Sequence, residues 1–94
     1  MTTLHIISKS LANADIQIAL RAAQKEDAII LINDAVYAFA NKTPIDTKAS
    51  VFALAPDLIA RGLNVDKLPS LVALIDYAGF VELSESHQPI VSWY

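Results

Sequence analysis

Ninety-four residues with 54% hydrophobic content, a net charge of −3 and no cysteine make one small acidic domain, and they exclude disulfides, thiolate zinc sites and thiol catalysis on this chain. The seven basic residues, Lys9, Arg21, Lys25, Lys42, Lys48, Arg61 and Lys67, are scattered without interleaved aromatics, which argues against direct nucleic-acid binding by this chain alone. The longest uninterrupted apolar run, Ala28–Ile32, is far short of the roughly 20 residues that cross a membrane, and Met1-Thr2-Thr3-Leu4-His5 carries no signal-peptide pattern, so a cytoplasmic protein with no membrane partner is expected.

The first predicted element is a strand over Thr3–Ile7, followed by a polar turn at Ser8–Leu11. Asn13 is placed to cap a helix running to about Lys25, with Asp15 in its first turn and Ile16, Leu20 and Ala23 on one apolar face. Ala28–Ile32 is apolar at every position, the signature of a strand buried on both faces of a parallel sheet. Asp34 is expected to cap a short helix through Ala40; Asn41–Lys48 is a loop that Pro44 keeps from continuing the helix. Ser50–Leu54 forms the third strand. Pro56 at the first helical position, Asp57 behind it and Gly62 as a left-handed stop then bound a helix of one to two turns. After a connection at Asn64–Pro69 come a fourth strand, Leu71–Ile75, and a helix from Tyr77 to about Ser86 capped by Asp76. Pro89–Tyr94 reads as a final edge strand.

Five strands alternating with four helices specify a single-domain α/β sandwich over residues 1–94, with a mainly parallel sheet and helices on both faces. A domain of this length hides only roughly 60–65% of the surface its unfolded chain exposes. So much apolar side chain therefore points to a surface covered by other chains, with a monomer of apolar surface as the alternative. Val36, Tyr37 and Phe39, crowded on about two helical turns, cannot all face one core. With Trp93 and Tyr94 they are the candidate interface residues.

Candidate chemistry is sparse. Ser8, Asn33, Asp34, Asp57 and Asp76 follow strands, where α/β proteins bind ligands. The three aspartates could hold a metal or phosphoryl group, or serve as helix caps and dipole partners, which needs no ligand. Gly62 and Gly79 are the only glycines, so no phosphate-binding glycine loop exists. His5, inside a strand, and His87, near a helix end, have no metal-ligand spacing and read as a packed and a solvated histidine. No catalytic residue, cofactor site or metal site is assigned.

Four blocks resemble the TusB/DsrH family over almost the whole chain: Thr3–Ile7, Asp27–Ala38, Val51–Leu63 and Leu74–Leu83, with Trp93 near the end. The resemblance implies a DsrE-like fold and a subunit that assembles with TusC-like and TusD-like chains, commonly as a heterohexamer. Such a complex relays persulfide sulfur through a TusE-like acceptor towards 2-thiolation of the tRNA wobble uridine; DsrH sits in an analogous complex in sulfur oxidation. Some DsrH-type members carry a cysteine in the first helix, at the position that is Ala19 here. Without a thiolate this chain cannot hold sulfur covalently by cysteine, which leaves a structural, non-catalytic role and favours the tRNA branch. A small-molecule-binding module using Ser8, Asp34 and Asp76, and a homo-oligomeric structural protein, are the other readings.

Overall fold

In the computed structural model, which describes residues 2–10 and 12–93, five short strands form one sheet in the order β4-β3-β2-β1-β5. The strands are β1 (Leu4–Ile7), β2 (Ala28–Leu31), β3 (Ser50–Leu54), β4 (Val72–Ile75) and β5 (Ile90–Trp93), and every neighbouring pair is parallel. The helices are α1 (Asn13–Ala22), α2 (Tyr37–Ala40), α3 (Ala55–Ala60) and α4 (Tyr77–Ser86). Single 3₁₀ turns occupy Asn33–Val36 and Val65–Lys67. The α/β sandwich with a parallel sheet is the expected fold, and β2 is buried at all four positions, as its unbroken apolar run requires.

Strand order decides which helix covers which face. From β1 to β4 each step moves one strand in the same direction, so right-handed crossovers put α1, α2 and α3 on one face. The return from β4 to β5 crosses the whole sheet the other way and carries α4 to the opposite face. Packing agrees. Ile7, Ile29, Leu31 and Val51 meet Ile16, Leu20, Val36 and Leu58 on the three-helix face. Leu4, Ala28 and Ile30 meet Phe80 and Leu83 of α4 on the other.

Local chemistry explains the element ends. Asp76 caps α4 by accepting the Gly79 N–H at 2.8 Å. Gly62, at φ 70°, closes α3. The Gly62 N–H donates to Ile59 O and the Leu63 N–H to Leu58 O, both at 3.0 Å, which satisfies carbonyls the helix leaves open. Pro56 is the second helical residue of α3, one place later than expected. The first helix stops at Ala22, short of Lys25, because residues 24–27 form their own turn: Asp27 N–H donates to Gln24 O, and Asp27 Oδ2 accepts the Gln24 N–H. Backbone geometry puts Ala12, not Asn13, at the N-cap. Asp34 is not a cap either. Ile32 holds that position, and Asp34 lies inside the 3₁₀ turn. Residues 41–48 are tied to α1, with Gln17 Nε2 donating to Pro44 O and Thr47 Oγ1 to Leu20 O.

Candidate functional site

Parallel strands bring their carboxyl ends to one edge, and there Asp34 and Asp57 come together around Arg61. Arg61 Nε donates to Asp34 Oδ1 at 3.0 Å, and Arg61 Nη1 donates to the Asp57 carbonyl at 3.3 Å. The Asp57 carboxylate accepts the Asn33 N–H at 2.7 Å and lies 3.9 Å from the same guanidinium. Asn33 itself has φ 50°, a conformation asparagine tolerates better than most residues. Asp76 stands apart, engaged as the α4 cap. Of the five strand-end residues singled out, the fold therefore unites Asn33, Asp34 and Asp57 in one network around Arg61 and leaves Ser8 and Asp76 outside it. Among the described residues no three His, Cys, Asp or Glu side chains converge as a metal site.

The more organised constellation is one that sequence reasoning did not assemble. His5 and Asp27 are each 6% exposed. His5 Nε2 and Asp27 Oδ2 are 3.0 Å apart. The same carboxylate accepts the Thr3 N–H on Oδ1 at 3.0 Å and the Gln24 N–H on Oδ2 at 2.9 Å. On its other side, His5 Nδ1 accepts the Trp93 Nε1–H at 3.2 Å, with the two rings stacked at 29°. An indole only donates, so this bond assigns the imidazole proton to Nε2 and makes His5 the donor to Asp27. Burial alone raises the Asp27 pKa. The Gln24 and Thr3 N–H groups, then His5, outweigh it and lower the pKa to about 2. Asp27 binds three elements in this way: the entry to β1, the turn after α1, and through His5 the end of β5. The legible signal was an acid placed immediately before an all-apolar strand, where only local hydrogen bonds can hold a charge.

The predicted interface residues separate. Val36 corrects the expectation: it is 0% exposed and belongs to the core beneath the three-helix face, so it offers nothing to a partner. Tyr37, next in the chain, is 37% exposed, while Phe39 is half-buried against the same core. Trp93 is half-buried and engaged with His5. Tyr94 lies outside the described residues. Ala19 is 1% exposed, so a sulfur at that position would be sealed in the core, away from any donor or acceptor.

Comparison with known proteins is decisive for the family. Residues 9–90 match the family described as DsrH like protein. The chain belongs to the DsrH family. Proteins named TusB from Yersinia pestis strain Pestoides F and from Yersinia pseudotuberculosis serotype O:1b are each 36% identical to it, over 96% of this chain and 99% of theirs. The fold is shared by protein Tm0979 of Thermotoga maritima, whose solution structure superposes with a TM-score of 0.69 at 28% identity, covering 92% of this chain and 93% of that one. A second solution structure of Tm0979, described as a candidate sulfur transferase, has a TM-score of 0.60 at 32% identity over 73% of this chain and 75% of that one. This DsrH-family chain also has no helix, among the described residues, long and apolar enough to cross a membrane.

Proposed function

We propose that this chain is a non-catalytic subunit of a sulfur-relay complex, assembling in the cytoplasm with TusC-like and TusD-like chains and acting through a TusE-like acceptor towards 2-thiolation of the tRNA wobble uridine. One observation carries the reading: a chain that matches TusB proteins over 96% of its length contains no cysteine. A persulfide is carried by a thiolate sulfur. A family member without one contributes shape and contact surface, and the sulfur passes over a partner's cysteine. Tyr37, Phe39, Trp93 and Tyr94 are the proposed contact residues, large aromatic side chains of the kind that anchor interfaces.

Native mass spectrometry of this chain co-expressed with the TusC-like and TusD-like chains of its own source is the direct test. A complex containing all three is the expected result; if the other two assemble and leave this chain free, the reading fails. Deleting the gene should lower wobble 2-thiouridine, and the cysteine-free wild-type chain should restore it. Restoration only after a cysteine is introduced would refute the non-catalytic role. Unchanged 2-thiouridine together with a stable three-chain complex would move the chain to the sulfur-oxidation branch.

A further inference from the structure

The hydrogen bonds through His5 run in one direction. Trp93 donates to Nδ1, and Nε2–H donates to Asp27. Asp27 cannot turn away, because Thr3 and Gln24 N–H groups hold both of its oxygens. A second proton on the ring has one place to go, Nδ1. There it faces the indole N–H, donor against donor. The imidazolium keeps its bond to Asp27 and gains an opposite charge, while Trp93 loses its acceptor.

The indole also packs against the core of the three-helix face and stacks on the His5 ring, so the lost bond frees its N–H first. β5 is an edge strand, paired only with β1, and Ile90 and Val91 are exposed. Lys9, two residues beyond the end of β1, is exposed. Asp27 is the one charged group within ion-pair distance of His5 among the described residues. The neighbours in register, Ile29 and Val91, are apolar. On α1, which packs on this face, Ile16, Ala19 and Leu20 are buried, as is Ala23 just after it, and Asp15 and Arg21 are exposed. Lys25 and Glu26, in the turn before Asp27, are exposed as well.

We propose that Asp27, His5 and Trp93 form a proton-sensitive latch on the C-terminal edge strand: neutral His5 fixes the indole N–H, and protonation at Nδ1 breaks that bond and lets the indole shift while β5 stays paired with β1. Any consequence for assembly rests on the subunit reading above; the latch itself does not.

Trp93 is the single tryptophan, so its emission reports the latch directly in the full chain without partners. Emission, far-UV circular dichroism and ¹⁵N signals of the histidine ring nitrogens are followed from pH 8 to pH 5, the range in which an imidazole changes charge. The expected result is an Nε2–H tautomer at pH 8 and a red-shifted emission on acidification. That change shares its midpoint with the His5 ring nitrogens, and the circular dichroism stays constant. His87→Gln should keep the transition. His5→Gln, which preserves an acceptor but cannot titrate, should abolish it. An Nδ1–H tautomer at pH 8, an emission indifferent to His5 titration, or a His5 that stays neutral until the protein unfolds overturns the latch. Should His5→Gln fail to fold, the wild-type tautomer and the shared midpoint decide alone. Flat emission leaves the subunit reading standing, because no partner is present in the test.

Discussion

Asp27 concentrates more structure in one side chain than any other polar residue described. Its carboxylate closes the turn after α1, receives the Thr3 N–H ahead of β1 and orients His5. Truncation to alanine strands three donors around a buried position, and Asp27→Ala is expected to cost about 2–4 kcal/mol in urea unfolding. The pH dependence has a definite sign. Folding lowers this carboxyl from 3.8 to about 2, so its stabilisation is complete above the unfolded value and disappears as pH falls through the folded one. Wild-type stability should therefore decline between about pH 5 and pH 2 more steeply than that of Asp27→Asn, whose side chain does not titrate. Parallel declines in urea midpoints across that range would mean that Asp27 is not the group responsible.

The helix ends allow a similar separation of causes. Asp76 reaches its own helix, so Asp76→Ala removes one cap bond from α4 and should cost about 1 kcal/mol. Gly62 has open space where a Cβ would go but a φ of 70°, so Gly62→Ala is penalised by backbone conformation alone, at about 1 kcal/mol. Gly79 is the converse. Its backbone is ordinary, and a Cβ there would meet Ile75 Cβ at 3.0 Å, pushing α4 off β4. Thermal melts of the three variants separate cap, strain and crowding: Gly79→Ala, for which Ile75 Cβ and Cγ2 must give way, should lose more than the about 1 kcal/mol of Asp76→Ala or Gly62→Ala, and an equal or smaller loss would mean that α4 yields without crowding.

Across the whole molecule the two faces of the sheet are unequal. Three helices cover one face and a single ten-residue helix the other, where Ile90 stays 48% exposed at the edge. Tyr77 and Val81 of α4 are also exposed. The apolar excess of the composition is thus partly outside, as a small α/β domain with one return crossover requires. Tyr37 projects from the opposite side of the sheet, next to buried Val36. If Tyr37 anchors a partner, Tyr37→Ala should weaken the three-chain complex about tenfold or more while leaving the melting temperature of the isolated chain nearly unchanged. An equal loss of both would place Tyr37 in the fold's own packing.

Local pattern by itself determined the order of five strands and four helices, the buried central strand Ala28–Leu31, the Gly62 stop and the Asp76 cap. Each of these depends on side chains within a few residues of one another, and nearby chemistry is legible in one dimension. Packed His5 and edge strand β5 were legible for the same reason. Asp34 was misread because a capping residue and an ion-pair partner look alike until Arg61, 27 residues away, is brought beside it. Val36 and Tyr37 are adjacent and both offer apolar surface, and the direction of the turn over the sheet buries the first and exposes the second. The Asp27–His5–Trp93 chain lay beyond local reading altogether, since it joins residues 22 and 88 positions apart. Pairing β1 with both β2 and β5 creates that neighbourhood, and strand pairing is a property of the sheet, not of any segment within it.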